Sequence, residues 1–310
     1  MTAVAVLVLL CAIWGFTQVA IKLANAGISP LLHAGLRSAG SALLLWAWSA
    51  AVGVPLFRRD GSLGHGVTIA TLFAAEFVLI YGGLVLTTAA RGVLFVYTAP
   101  FVVAVGAHLF VPGERLNGRK WLGLACAFAG VAVAFADALQ LPTRTELLGD
   151  LMELGGAVCW GATTVLIKAR RGPSITPNKT LFYQLAGSAL VLLPLSTVAI
   201  GEPGVVEATP VVVASVLYQI VVVAFASYLA WFWLLTRYPA SELSAFSFLT
   251  PLFGMLAGAL VLGEPVGPAL AAAMALVAVG IYLVSAPRRA GPPQAGRGFS
   301  STTWPSGSRM

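Results

Sequence analysis

The chain has 310 residues, of which 59% are hydrophobic and only 9% charged, against roughly 25% charged residues in soluble globular domains. That composition excludes an ordinary soluble fold, and the scattered Cys11, Cys126 and Cys159, without CxxC spacing, argue against a disulfide framework or a cysteine metal site. The formal charge of +7 comes mostly from basic residues in loops and tail, so no nucleic-acid partner is needed to account for it.

Apolar runs of about 20 residues, each able to cross a bilayer core as a helix, recur along the chain. Hydropathy and breaker residues place helices at 3–24, 31–53, 66–87, 91–112, 120–138, 149–169, 179–200, 209–235, 240–263 and 266–286. The first contains WGFTQVAIK at 14–22, where Trp14, Gln18 and Lys22 follow an i, i+4, i+8 stripe. The third places Glu76 near its middle, where an ionised carboxylate is costly, followed by Tyr81. Only Arg91-Gly92 interrupts the apolar run before the fourth, which carries Tyr97 and Pro100. The sixth contains WGATTVLIK at 160–168, with Trp160, Thr164 and Lys168 on the same spacing. The eighth holds Tyr218 and Gln219, and the ninth Ser244, Phe248 and Pro251. After Pro287 a Gly/Pro/Ser-rich tail with four arginines is too polar to pack and is expected to be disordered.

The two Trp-Gly phrases agree at six of nine positions. AGSAL at 39–43 recurs at 186–190, and VYTAPFVVAVGAHLFVPGER at 96–115 matches SFLTPLFGMLAGALVLGEP at 247–265, with Pro100 on Pro251 and Glu114 on Glu264. Ordered landmarks of this kind define a repeat, with halves at 1–144 and 145–286. A repeat inside the chain also argues against reading the first helix as a cleaved signal. Because each half holds an odd number of helices, the second enters the membrane inverted.

Charge supports the inversion, since Lys and Arg in short loops favour the cytoplasm. Arg58, Arg59, Arg115, Arg119 and Lys120 lie in or beside two loops of the first half; the equivalent loops of the second carry Glu202, Glu207 and Glu264 and no basic residue. Both termini are thereby expected in the cytoplasm. Among the basic residues outside the cytoplasmic count are Lys22, Arg37 and Arg91.

The paired Trp-Gly helices, and the Pro followed by Gly-Glu in GERL at 113–116 and LGEP at 262–265, resemble EamA-type members of the drug/metabolite transporter superfamily over about residues 3–286. Within it the chain looks most like the YddG-type amino-acid exporters of bacterial inner membranes. The resemblance implies an all-α integral membrane protein of ten transmembrane helices in two inverted five-helix repeats. It also implies export of amino acids, aromatic ones included, through a central cavity that opens alternately to each side. Arg91 departs from the repeat, because the second half has Glu242 there.

Several side chains are candidates for that cavity. Lys22 and Lys168 fall at opposite membrane ends and are either gates or lysines that snorkel to the interface. Trp14 and Trp160 lie deeper than an interfacial belt. Glu76 is a receptor for a substrate ammonium, a site for a coupling proton, or a neutral packing residue. Pro100 and Pro251 each remove a backbone hydrogen bond, which bends the helix and can free a carbonyl. Tyr81, Tyr97, Tyr218, Gln219, Ser244 and Phe248 would complete an aromatic lining for small zwitterions. No basic residue is assigned to mid-membrane, so phosphates and sugar-nucleotides are not expected. No Walker-type loop, nucleophile–base set or histidine cluster is visible; neither cofactor, metal nor enzymatic activity is expected, and a proton is the candidate coupling ion. Export of other metabolites or lipophilic drugs is the main alternative, an intramembrane enzyme or scaffold a remote one. Monomer and homodimer both remain open, with Gly254 and Gly258 forming a GxxxG pair.

Overall fold

The computed structural model describes residues 3–139, 141–169, 175–263 and 267–286. They form ten long helices: α1 (Ala3–Asn25), α2 (Pro30–Ala51), α3 (Leu63–Leu86), α4 (Ala89–Phe110), α5 (Gly118–Ala134), α6 (Arg144–Ala169), α7 (Pro177–Val198), α8 (Pro210–Leu235), α9 (Ala240–Leu262) and α10 (Ala269–Ser285). Among the described residues there is no β-strand, only an isolated bridge between Ile28 and Val205. Seven helices, α1, α3, α4 and α6 to α9, are long and apolar enough to cross a membrane. The other three fall short of that standard for visible reasons. Helices α5 and α10 have 17 residues each, a rise of about 25 Å, and α2 carries His33 and Arg37. Glu264, the Arg170-Arg171 pair and the tail from Pro287 lie outside the described residues.

Side-chain caps move two expected boundaries. The sixth helix, expected from 149, starts at Arg144 because Thr143 and Glu146 cap each other. The Thr143 Oγ1 accepts from Glu146 N at 3.2 Å, and Glu146 Oε2 from Thr143 N at 2.7 Å, a reciprocal capping box. Before α4 the chain breaks at Thr87-Thr88 rather than at Arg91-Gly92, because Thr88 Oγ1 accepts from Arg91 N. Thr176 and Thr209 cap α7 and α8 in the same way, each followed by a proline whose missing N–H costs nothing at a helix start.

Helix α4 is interrupted at Tyr97-Thr98, and α9 at Ser247-Phe248. Pro100 and Pro251 enter in the first turn after each break, where no partner in the preceding turn is required of them. Helix α8 passes through a π-helical stretch, Gln219–Ser227, a form that recurs at functional sites.

Packing is reciprocal between the two parts of the chain: α1 lies on α9 as α6 lies on α4, and α8 contacts α1 and α2 as α3 contacts α6 and α7. Helices α2 with α7, and α5 with α10, complete the set. The repeated Trp-Gly has a packing cause. A Cβ on Gly15 would lie 2.6 Å from Phe253 Cβ on α9, and one on Gly161 would lie 2.5 Å from Val102 Cγ1 on α4. Only glycine lets these helix pairs close to that distance.

Consecutive helices run back and forth between two faces. One, here the upper face, carries the connections before α2, α4, α6, α8 and α10. Its loops meet where Ser29 Oγ donates to Gly204 O at 3.0 Å and where Glu202 accepts from Leu31 N and Leu32 N at the start of α2. Arg91 pairs there with Asp150, which also accepts from Thr87 Oγ1 at 2.8 Å. The charge asymmetry expected at Arg91 is thus resolved locally, and Glu242 pairs with Lys120 on the lower face at 3.2 Å.

Candidate functional site: a cavity between the helices

A cavity of about 470 Å³ lies among α1, α2, α3, α4, α6, α7, α8 and α9. Helices α5 and α10 contribute no wall and instead pack on each other, Gly280 lying so close that a Cβ would meet Gly123 O at 2.5 Å. The cavity runs from Trp231, Phe232 and Ile167 at its deep end to Asn25, Pro30, Leu84, Val85 and Ala89 at the upper face. Leu84, Val85 and Ala89 are exposed, so the cavity reaches the surface at that end.

On α1 the wall is formed by Trp14, Thr17, Gln18, Ile21 and Asn25, and on α6 by Glu153, Trp160, Thr163, Thr164 and Ile167. These positions follow one helical stripe. At about 100° per residue, a position seven or eleven residues from the tryptophan returns to within about 20° of it, but the eighth has drifted about 80°. That drift takes Lys22 and Lys168 off the wall. Lys22 is exposed near the end of α1. Lys168 Nζ donates to Leu235 O at 2.6 Å and Tyr238 O at 2.7 Å, at the C-terminal end of α8, where orphan carbonyls and the helix dipole favour a cation.

Aromatic rings dominate the surface. Trp14 Nε1 donates to Ser227 Oγ at 2.8 Å, and its ring meets Trp231 edge-on with centroids 5.3 Å apart. Trp160 meets Tyr97 edge-on at 6.0 Å, Tyr228 meets both Trp14 and Phe73 edge-on at 6.3 Å, and Phe77 and Tyr81 also line the cavity. Aromatic contacts of this geometry fix ring orientation as well as burying area.

Of the residues expected at the site, Trp14, Gln18, Glu76, Tyr81, Tyr97, Trp160 and Thr164 lie on the cavity wall. Tyr218, Gln219, Ser244 and Phe248 do not. Tyr218 OH donates to Ile13 O at 2.9 Å, and Gln219 is buried against His33, its Nε2 lying 2.7 Å from the ring Nε2. Ser244 Oγ donates to Ser241 O at 3.3 Å, and Phe248 packs on Phe101 and Phe128. Pro100 and Pro251 are buried beside the helix breaks without lining the cavity, although their neighbours Tyr97 and Thr250 do.

Three acidic or basic residues line the cavity: Glu76, Arg37 and Glu153. No described side chain hydrogen-bonds to Glu76, and Arg37 lies within electrostatic range of it. Glu153 is buried where α3, α4 and α6 meet at Gly83 and Gly92, and its Oε1 has no hydrogen-bond partner among the described residues. Arg37 overturns the expectation that no basic residue stands in the wall, and with it the argument from absence against anionic substrates. Its position in the second apolar span was a usable signal, because an ionisable residue inside such a span is by default functional. Gln184, Thr163 and Thr250, like Tyr228 and Trp231, carry no such signal; only the packing of α7, α6, α9 and α8 brings them to the wall.

A bundle of apolar helices around an aromatic cavity with enclosed charges, reaching one face, defines a multi-pass membrane transport protein. The chain belongs to the EamA-like transporter family, whose pattern matches residues 1–136 and again 147–286. It is 28% identical over 286 residues to the "Probable amino-acid metabolite efflux pump" of Escherichia coli strain K12, covering 89% of this chain and 92% of that protein. It is 28% identical over 273 residues to the "Uncharacterized transporter YoaV" of Bacillus subtilis strain 168, covering 87% and 92% respectively. A crystal structure 20% identical in sequence superimposes with a TM-score of 0.77 over 92% of this chain and 97% of that one; at this identity the likeness is one of fold.

Proposed function

We propose that the protein exports neutral and aromatic amino acids across the bacterial inner membrane by alternating access through this cavity. All ten helices cross the bilayer, α2, α5 and α10 included, as two inverted five-helix halves divided near residue 144, with both termini in the cytoplasm. The upper face is then periplasmic, and the cavity described above is open outward. The observation that carries the substrate class is the combination in one cavity of an aromatic wall with Glu76, a carboxylate unoccupied by any described donor. An aromatic wall takes an apolar side chain, and a desolvated carboxylate takes an ammonium. The efflux pump of Escherichia coli to which the chain is similar supports the same class and direction.

Reciprocal packing suits the motion, because equivalent helix pairs can exchange conformations while the site stays between them. On the lower face Lys168 ties α6 to the end of α8, and Glu114 accepts from Ala240 N at 2.8 Å and Ser241 N at 3.2 Å at the start of α9. These contacts close the cytoplasmic end in the outward-open form. Lys22 is the corresponding gate residue on the other face, and Pro100 and Pro251 mark the bends about which α4 and α9 move.

Counterflow in proteoliposomes with a panel of labelled amino acids, with and without a proton gradient, tests the reading. Exchange of phenylalanine, leucine or related neutral amino acids is expected. Movement of lipophilic cations with no amino-acid exchange would replace it with drug export.

A further inference from the structure

Arg37 stands in α2, seven residues after its start at Pro30, about 10 Å below the upper face at 1.5 Å per residue. Its side chain lines the cavity although the residue is only 3% exposed. Neither Nε nor Nη2 has a hydrogen-bond partner among the described residues, and no described carboxylate forms a salt bridge with it. What holds it is a ring: the guanidinium carbon lies 4.5 Å from the Phe77 centroid. A cation–π contact orients the guanidinium but leaves its in-plane N–H donors unused. Other cations drawn into the protein have acceptors: Arg91 has Asp150, Lys120 has Glu242 and the buried Lys179 has Asp60.

A buried charge without acceptors is costly, and the cost is tolerated where a ligand supplies the missing acceptor. Three further groups without hydrogen-bond partners among the described residues belong to residues that line the same cavity: Glu153 Oε1, Thr163 Oγ1 and Gln184 Oε1. A fork of parallel donors matches a planar carboxylate and fits poorly to a neutral amide.

From this placement we propose that Arg37 is the carboxylate anchor of the transport cavity, and that it sets the requirement for an anionic group on the substrate while Glu76 receives the ammonium. The assignment deepens the amino-acid reading above and rests on this cavity being the transport site. With Arg37 on one carboxylate and Phe77 behind it, the substrate's apolar side chain is directed toward the rings of Trp14, Trp160 and Trp231. The neutral ends of such substrates would then be read loosely, and their charged ends strictly.

The indoles of Trp14, Trp160 and Trp231 line the cavity, so intrinsic fluorescence of the purified full-length protein in nanodiscs reports binding without transport. Three probes separate the charges: phenylalanine, 3-phenylpropionate, which lacks the amine, and phenethylamine, which lacks the carboxylate. Wild type is expected to bind phenylalanine at least tenfold more tightly than phenylalaninamide. Arg37→Gln is expected to lose tenfold or more in affinity for phenylalanine and 3-phenylpropionate while binding phenethylamine as wild type does, and Arg37→Lys to recover part of the loss. Equal affinity of wild type for phenylalanine and its amide would overturn the proposal without any variant. So would failure of wild type to bind either carboxylate, carboxylate affinity unchanged in Arg37→Gln, or an equal loss for all three probes, which marks a structural role. If 3-phenylpropionate binding depends on Arg37 but proteoliposomes exchange no amino acid, the anchor stands and the amino-acid reading fails.

Discussion

At the scale of single residues, the cavity is governed by a few charges held without the solvent that would normally stabilise them. Glu76 sits 13 residues into the 24-residue α3, too deep for its side chain to reach water at either membrane face. Glu76→Gln is expected to raise the KM for neutral amino acids by roughly tenfold or more, matching the 1.5–3 kcal/mol of a hydrogen bond to a charged group, and to remove any stimulation by an imposed proton gradient. Initial-rate counterflow checks both effects. Outside the membrane, Asp60 accepts from Lys179 Nζ at 2.8 Å and from Ser62 N at 3.0 Å. These bonds, that from Lys179 foremost, hold its carboxyl well below the usual carboxylate range. A depressed carboxyl contributes stability above its unfolded pKa, and that contribution fades only as pH falls toward the folded value. The melting temperature of wild type should therefore exceed that of Asp60→Asn by a constant margin from pH 7 to about 5, narrowing below about pH 4. A differential scanning fluorimetry series in detergent measures the margin.

The helices owe their limits to caps and their spacing to small residues. Thr143 with Glu146, Thr176, Thr209 and Asn117 each satisfy an N–H in a first turn that has no partner of its own. Glycines bring α5 and α10 together: a Cβ on Gly280 would lie 2.5 Å from Gly123 O and 2.6 Å from Ala127 N. Both are backbone atoms, so neither can swing aside. Gly280→Val is expected to destabilise the protein by about 1–3 kcal/mol through overpacking. A lowered melting temperature with unchanged probe affinity in the surviving folded fraction would show that this pair supports the cavity from outside. The breaks in α4 and α9 belong to the same scale, since Pro100 and Pro251 open the turn after each break, and Tyr97 and Thr250, just before them, line the cavity.

For the molecule as a whole, the cavity reaches the upper face at Leu84 and Val85, whereas at the lower end the loop after α4 contacts the start of α9, α6 contacts α8, and α5 contacts α9. The Glu114 carboxylate bridges two N–H groups and the Ser241 hydroxyl across that closure. In a background with Cys11, Cys126 and Cys159 replaced, Val85→Cys is expected to react with an impermeant maleimide added from the periplasmic side. Phe232→Cys, at the deep end, is expected to react from the cytoplasmic side only when Glu114→Ala is also present. Labelling of Val85→Cys from the cytoplasm alone would reverse the proposed orientation.

Composition and hydropathy were enough to establish a membrane-integral helical chain, because the cost of burying backbone polar groups in lipid leaves few alternatives. The written repeat was equally legible: Gly15 and Gly161 are needed at two equivalent close contacts, and identical packing demands preserve identical words. The stripe from Trp14 and Trp160 located the part of the wall that α1 and α6 form. Its extension to Lys22 and Lys168 failed because 3.6 residues per turn carries an i+8 position about 80° away. Tyr218, Gln219, Ser244 and Phe248 illustrate the other loss: composition cannot say which face of a helix meets the cavity when apolar residues lie on every face and polar ones also bond within the bundle. Arg37 was visible as a charge in a span, but its unpaired donors were not, since a missing partner is a property of what surrounds a side chain. The sequence by itself determined that this chain is a twice-repeated helical membrane protein, through patterns that act along the chain. Only the tertiary structure decided which charges face one another across a cavity, because that depends on the rotation of each helix against neighbours far away in sequence.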